Sequence, residues 1–330
     1  MLNRVRIFFI IVSVLVGSLF GQQKLAQTGF QFLSVNPDAR ASALAGAMTT
    51  VANFSGALWA NPAMLSESGK SIEVSLYMNR WIAGIVHNGL SASFRPSQGE
   101  YGVLGISLQY VDYGDVEGTQ VAYNKQGYIE TGIIKPFAFL FSLGYARELT
   151  NKFSVGGQVK WAQQYLGPAI TSYVKESNQF EIKNMKASGL AFDIGTHYKT
   201  GWKSIVFGMS VRNFSEEIKY AEEGFQLPLT FNIGVSANVM DFVPKKYKTD
   251  YLLVTMDAVH PRSHPEYIKI GLEYRLLSLL DLRMGYMSNT DEKNFTFGFG
   301  VHKFGLHFDY AYIPFGVFNN VQRFALRFAM

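Results

Sequence analysis

Hydrophobicity alternates with a period of two from about Lys70 to Met330, and this alternation limits the possible folds more than any other feature of the chain. The run from Ile268 to Leu276, IKIGLEYRL, shows the pattern. Large apolar residues occupy one face, while glycine, small residues and charges occupy the other. Because successive side chains of a β-strand point to opposite sides, such alternation indicates strands with one apolar face.

Fourteen strands can be read from this pattern. Their predicted ranges are 71–79, 85–95, 101–113, 136–149, 153–166, 187–199, 203–213, 229–240, 250–260, 266–277, 280–289, 294–302, 305–313 and 321–330. Connections after even-numbered strands are mostly short, with 241–249 as the exception. The long connections, at 114–135, 167–186 and 214–228, all follow odd-numbered strands. The first of these is long enough to hold a small hairpin.

The alternation fits either a soluble sandwich or a membrane barrel, because both have one apolar and one polar face. Aromatic residues make up 15% of the chain, with 27 Phe and 18 Tyr, and charged residues only 17%, against about a quarter in soluble domains. Membrane barrels carry aromatic girdles, an even strand number, short periplasmic turns and longer outer loops. We therefore predict an all-β membrane barrel of about 14 antiparallel strands in the outer membrane of a Gram-negative-type bacterium.

The first residues resemble a secretory signal peptide. Arg4 and Arg6 precede an apolar stretch from Ile7 to Val16, and small residues up to Gly21 come before a polar segment. The apolar run is shorter than the roughly 20 residues of a comfortable transmembrane helix. We predict cleavage after Gly21 and assign 1–21 to the signal peptide. An uncleaved N-terminal anchor is the alternative.

Residues 22–68 are rich in alanine and glycine and lack the alternation. Asn36-Pro37-Asp38 is a good helix start, and Asn61-Pro62 is a second one. We therefore predict a helix near 37–52 and a helical turn near 62–66. Together they form a short N-terminal helical plug ahead of the barrel at 69–330. The alternative is a periplasmic arm outside the lumen.

Two groups of residues are candidates for a functional site. Asn61, Pro62 and Ala63 form a plug motif, which either seats the turn by capping or acts as a gating hinge. Polar residues of the late strands are predicted to face the lumen: Lys269, Glu273, Arg275, Asp281, Arg283, Asp309, Arg323 and Arg327. These charges either pair across strands and hold the plug, or form a polar lining for a transported anion or a cargo tail.

Several classes of function have little support in the sequence. The chain has no Cys, which rules out thiol catalysis and Cys-based metal sites. Its formal charge of +5, or +3 without Arg4 and Arg6, is too small to indicate nucleic-acid binding. There is no Gly-x-Ser-x-Gly motif, and we expect no enzyme activity. His260 and His264, with Glu266 nearby, lie at a strand end with Pro261 and Pro265 and are not expected to bind a metal. We predict no cofactor.

Short motifs at both ends of the predicted mature chain resemble those of the PorV/PorQ family of outer-membrane proteins, which is similar to the FadL-type fatty acid transporters. The N-terminal matches are FL at 32–33, ARASALAGA at 39–47 and ALWANPA at 57–63. The C-terminal matches are GLEYR at 271–275, LRMGY at 282–286, DYAY at 309–312 and NVQRF at 320–324. The sequence departs from the family pattern at Ala45, Ala60, Asn319 and Gln322.

The resemblance implies a FadL-like barrel with an N-terminal plug that acts as an accessory component of type IX secretion. Its implied partners are secreted cargo proteins, whose C-terminal sorting signals it would bind, other secretion-system components, and outer-membrane lipid. A FadL-like conduit for hydrophobic small molecules and a mainly structural barrel are the alternatives. A conduit needs an apolar pocket beside the plug, whereas a shuttle needs apolar outer loops. The segments Ala169–Met185 and Phe214–Gln226 mix charges with aromatics and leave the choice open.

Overall fold

The chain forms a closed β-barrel of fourteen antiparallel strands. The computed structural model describes residues 28–174, 179–220, 224–244, 251–289 and 294–330; the side chains of 170–181 are not considered. The predicted signal peptide, residues 1–21, lies outside the described residues. The first and last strands pair, with Val74 opposite Phe328, and this pairing closes the barrel. Closure satisfies the backbone hydrogen bonds that a sheet edge would leave free.

The barrel strands confirm all fourteen predicted segments. They are β1 (Ile72–Arg80), β2 (Val86–Phe94), β3 (Val103–Asp112), β6 (Phe137–Thr150), β7 (Phe153–Val174), β8 (Gln179–Lys199), β9 (Val206–Phe214), β12 (Thr230–Asn238), β13 (Tyr251–Pro261), β14 (Tyr267–Leu276), β15 (Leu280–Met287), β16 (Phe295–Lys303), β17 (Leu306–Ile313) and β18 (Val321–Ala329). Two further hairpins lie outside the barrel wall: β4 (Val116–Val121) with β5 (Tyr128–Ile134), and β10 (Ile218–Lys219) with β11 (Gly224–Phe225).

The connections differ in length between the two ends of the barrel, as predicted. The short-turn end includes the connections 151–152 and 304–305. The start of β1 and the end of β18 lie at the same end. The long-loop end includes 113–136, which contains the expected hairpin, and 215–229. The predicted long connection 167–186 is wrong. β7 and β8 continue through most of it as a paired hairpin that extends beyond their barrel neighbours, because ladder pairing between them continues from Gly167 opposite Met185 to Val174 opposite Gln179.

The strands show a regular difference between their two faces. On β3, buried and exposed residues alternate along almost the whole strand. The outward side chains are mainly large and apolar, and many are about 40% exposed, such as Leu272, Met284 and Phe297. An apolar outer surface on a closed barrel is typical of transmembrane barrels. Among the described residues, no helix has the length and apolar character needed to cross a membrane.

Residues 28–68, named the lumen segment below, pack against the buried face of the strands. The predicted helix at 37–52 is wrong in length: only Ala39–Ala43 is α-helical (α1), and its N-cap is Asp38 rather than Asn36. Ala45 and Gly46 have φ values of 53° and 76°, which end the helix by turning the chain to the left-handed region. Three 3₁₀ turns complete the segment, at Gln31–Ser34, Phe54–Trp59 and Pro62–Glu67.

Glycines of the wall allow the lumen segment to lie against the strands. A Cβ at Gly271 would lie 2.9 Å from Leu44 Cβ, and one at Gly285 would collide with the backbone of Ala45. A side chain at either position would push the segment from the wall. The small residues seen in the sequence and the wall glycines therefore serve the same close packing.

Candidate functional site

Charged side chains of the late strands meet in the lumen and form a connected network. Glu273 accepts hydrogen bonds from Arg40 at 2.8 Å to each carboxylate oxygen, and from Arg283 at 2.6 Å. Arg283 also donates to Asp281 at 3.1 Å and to Asp309. All five residues are buried. Buried charges are costly unless they are paired, and here each charge faces one of opposite sign.

Two arginines of β18 connect the wall to the lumen segment. Arg327 pairs with Asp309 at 3.0 Å and with Asp38, the N-cap of α1. Arg323 donates to the backbone carbonyl of Asn36 and to Ser42 Oγ in the lumen segment, and its guanidinium lies 5.1 Å from the ring centroid of Trp81. The start of α1 is therefore fixed by charges from the last strand.

The eight charged residues selected from the sequence do not all occupy one cluster. Arg275 joins the network through Asp281, at 2.8 Å. Lys269 is half-buried outside it, and its ammonium lies 3.4 Å from the carbonyl of Gly46. The members that share the network are Glu273, Arg275, Asp281, Arg283, Asp309 and Arg327.

Sequence reasoning missed two members of this network, Asp38 and Arg40. Both lie in the lumen segment, and Arg40 is the only charge in the small-residue run 39–47. That isolation was an available signal, because a single charge among alanines on a buried helix requires a partner. Burial alone would lower the pKa of Arg40, but Glu273, with smaller contributions from Tyr251 and Asp309, raises it above its usual value, so the guanidinium remains charged.

The Asn61-Pro62-Ala63 motif starts the last 3₁₀ turn of the lumen segment and also contacts the wall. Asn61 caps this turn by accepting a hydrogen bond from the Ala63 amide at 3.1 Å. Its side-chain amide donates to the carbonyls of Thr49 at 2.7 Å and Thr196 at 3.1 Å. A Cβ at Gly156 would lie 2.6 Å from the Ala63 nitrogen. The motif thus joins two parts of the lumen segment to β8.

A second buried charge cluster, also missed from the sequence, lies where the pairing of β8 and β9 is irregular. Asp193 is beside the register shift and accepts hydrogen bonds from the Asn213 amide at 2.7 Å and from Gln158 at 2.6 Å. Lys160 forms an ion pair with Asp193 at 2.5 Å. Polar side chains of neighbouring strands therefore satisfy the Asp193 carboxylate where the pairing is irregular.

Apolar contacts cover the start of the lumen segment near the long-loop end. The ring of Phe30 lies 5.6 Å from that of Phe225 and 6.2 Å from that of Tyr220. Gly29 donates a backbone hydrogen bond to Gln226 at 3.1 Å. The start of the lumen segment is thus covered by the loop that follows β9. Burial raises the pKa of Tyr220, so its phenol stays protonated.

The hairpins that extend from the long-loop end carry exposed apolar residues. Val121 and Ile133 of the β4–β5 hairpin are 86% and 64% exposed. Ile182, on the extension of β8, is 66% exposed. Since soluble surfaces rarely expose groups of large apolar side chains, this region is a candidate contact surface.

A cavity of about 800 Å³ lies at the short-turn end, between the lumen segment and the barrel wall. The turn residues Lys152 and Lys203 reach its rim from one side, and Arg275 and His302 line it from the other. Arg327 and Arg283, which belong to the charge network, contribute to its inner surface. The lining also includes the carboxylates of Glu67, Glu73 and Asp281 and apolar side chains such as Met64 and Leu253, so the cavity is bordered by charged, polar and apolar groups.

Solved structures with a similar fold include a hydrocarbon channel, a transporter and a FadL homologue, all of low sequence identity. The "CymD monoaromatic hydrocarbon channel" is 13% identical and has a TM-score of 0.57; the match covers 92% of this chain and 99% of that one. The Pseudomonas putida toluene transporter TodX is 15% identical, with a TM-score of 0.56 and coverage of 86% and 95%. A Pseudomonas aeruginosa FadL homologue is 10% identical, with a TM-score of 0.52 and coverage of 88% and 97%.

These likenesses assign the chain to the FadL-like barrel fold. A search of curated proteins found no match. A family model described as "Type IX secretion system protein PorV" matches residues 20–258, which is most of the chain. The matched range includes the lumen segment with its Asn61-Pro62-Ala63 motif, the wall strands up to β12 and most of β13. The protein therefore belongs to the PorV family of type IX secretion proteins and is an outer-membrane β-barrel.

Proposed function

We propose that this protein binds exported cargo at its outer loops as an accessory component of type IX secretion. The observation that carries the proposal is a contrast between the two parts of the molecule. The lumen is occupied by a segment held by buried ion pairs, whereas the long-loop end presents exposed apolar hairpins. Such a barrel is better suited to bind proteins outside the membrane than to conduct molecules through it.

The lumen segment supports this proposal by acting as a plug, as the sequence motif suggests. Arg40 pairs with Glu273 on β14, and Asp38 pairs with Arg327 on β18. Both strands lie far from the lumen segment in the sequence. Moving the segment would separate both pairs, and breaking a buried pair costs about 3–5 kcal/mol. Residues 28–68 thus serve as a fixed plug, and Asn61, Pro62 and Ala63 serve to seat it rather than as a hinge.

The exposed hairpins supply a surface for a protein partner. Val121 and Ile133 project from a hairpin outside the closed barrel, and Ile182 projects from the extension of β8 beyond its barrel neighbours. Burial of apolar side chains on association contributes about 25 cal/mol of favourable free energy per Å² of surface removed from water. C-terminal sorting signals of cargo and other secretion components are the partners that family membership implies. The outward apolar band of the strands contacts outer-membrane lipid.

The alternative function is transport of hydrophobic small molecules. It is favoured by the fold of the similar structures, which are described as a monoaromatic hydrocarbon channel and a toluene transporter. The apolar cluster around Phe30 and Phe225 would be the entry point for such a substrate. Against it, several charged side chains line the cavity at the other end, and charged groups are costly to desolvate against an apolar molecule.

A deletion strain complemented with variants tests the two functions. The informative variant is Val121→Ser with Ile133→Ser, which removes apolar surface outside the barrel. Glu130→Ser, on the same hairpin, is the matched control because its exposed side chain is already polar. Cell-surface and supernatant proteomics then measure attached and released cargo, and uptake of toluene measures transport.

Loss of surface cargo in the deletion strain, partial loss in the double variant and normal attachment with Glu130→Ser are the expected results. Retained surface cargo in the deletion strain, together with impaired uptake, would exclude the secretion function and establish the conduit. Heat-modifiable gel migration of each variant confirms that the barrel is folded.

A further inference from the structure

We infer that the cavity at the short-turn end is a binding site for a small multivalent anion, one with two or more carboxylate or phosphate groups. This site lies at the opposite end from the proposed cargo surface and does not depend on that proposal. Its volume of about 800 Å³ is within the range of small-molecule pockets. The inference rests on three observations: the arrangement of charges, their partners, and unsatisfied buried atoms.

The cations of the cavity come from opposite sides of the barrel. Lys152, Lys199 and Lys203 lie in or beside the turns between β6 and β9, while Arg275 and Arg327 belong to β14 and β18. In the closed strand order, β8 and β18 are separated by five strands on one path and seven on the other. A ligand between them would therefore meet positive charge on both sides, which favours more than one anionic group.

Part of this positive charge is not neutralised by the protein. Lys199 is paired with Glu67 at 2.7 Å, and Arg275 with Asp281. Within the part of the chain that the structure describes, Lys152 and Lys203 have no carboxylate partner. Both are exposed at the rim, where their flexible side chains can turn toward a ligand.

Unsatisfied polar atoms occur deeper in the same cavity. Arg327 is 1% exposed, and its Nε has no hydrogen-bond partner among the described residues. Thr50 Oγ1 is buried and also without a partner in that part of the chain. Arg327 Nε can only donate, and a buried unsatisfied donor costs about 1–3 kcal/mol. An anion that enters past the rim lysines would approach these donors.

An anion that enters the cavity would thus pass from exposed lysines at the rim to buried arginines inside. The rim lysines attract an anion from solution, and the arginine side chains lie at the inner surface of the cavity. An uncharged ligand would gain less from the rim lysines than an anion does, because it carries no charge to pair with an ammonium group. Citrate and inorganic pyrophosphate are suitable probes because each carries several negative charges.

Isothermal titration calorimetry on the full-length protein in a neutral detergent tests the inference. Citrate and pyrophosphate are titrated into the unchanged protein and into Lys152→Gln/Lys203→Gln. Lys70→Gln is the matched control, since Lys70 is an exposed lysine at the same end that does not line the cavity. We expect at least one probe to bind, about tenfold weaker binding in the double variant, and unchanged binding in the control.

A second measurement uses only the unchanged protein. Raising NaCl from 50 to 500 mM should weaken binding, because exposed charges are screened by salt. Absence of binding by both probes, equal binding in all three proteins, or binding that does not respond to salt would each overturn the inference. The deletion-strain phenotype is independent of these outcomes, so failure of one proposal can be distinguished from failure of the other.

Discussion

Arg40 and Glu273 form a bidentate ion pair inside the barrel, with both nitrogen–oxygen distances at 2.8 Å, although 233 residues separate them in the sequence. Arg40 lies on α1 in the lumen segment, and Glu273 on β14 of the wall. The pair therefore connects the small-residue lumen segment to a barrel strand that lies much later in the sequence.

Replacement of Arg40 should destabilise the barrel strongly. Arg40→Ala would leave Glu273 buried with Arg283 as its remaining charged partner, and loss of one member of a buried pair costs about 3–5 kcal/mol. The temperature at which the protein unfolds in heat-modifiable gel assays should fall. Arg147→Ala is the control, because Arg147 is exposed. Equal unfolding temperatures for both variants would show that the pair contributes nothing to stability.

Addition of a single methyl group at Gly285 should displace the lumen segment. Gly285→Ala places a Cβ against the backbone of Ala45, and overpacking of this kind costs about 1–3 kcal/mol. Limited proteolysis should then cut the segment faster. Gly69→Ala is the matched control, because nothing lies within 4 Å of a Cβ there. Identical cleavage rates in the two variants would contradict the close packing described here.

Removal of the Asn61 side chain should weaken attachment of the segment to β8. Asn61→Ala eliminates a cap and leaves the carbonyls of Thr49 and Thr196 without this donor, a loss of about 1–3 kcal/mol. Asn124→Ala is a useful comparison, since Asn124 caps an exposed turn of the β4–β5 hairpin. Only the change at Asn61 should lower the temperature of barrel unfolding in detergent.

A charge on the outer wall should be tolerated according to its depth in the membrane. Met284 faces outward near the middle of β15, so Met284→Lys should cost about 2–4 kcal/mol of folding free energy in lipid. Phe304→Lys, in the turn between β16 and β17, should cost about 1 kcal/mol or less. Refolding into vesicles at several urea concentrations measures both. A larger loss at Phe304 would refute the membrane position assigned to these strands.

The barrel was predictable from sequence because strand formation has a local signature. Residues such as Leu272 and Glu273 point to opposite faces by virtue of adjacent positions alone, and repetition of this pattern defined fourteen strands. The same rule failed at 167–186, where charges and aromatics interrupt the apolar face. Strand pairing continues there because β7 and β8 supply each other's backbone hydrogen bonds outside the barrel wall.

The sequence by itself determined the number of barrel strands, most of the short and long connections, and the cap at Asn61, since each depends on residues close together in the chain. Only the tertiary structure decided that α1 stops at Ala43, that Asp38 and Arg40 complete the charge network, and that the cations of the short-turn end surround one cavity. These features depend on how barrel closure brings distant residues together, and a pattern of neighbouring residues does not contain that information.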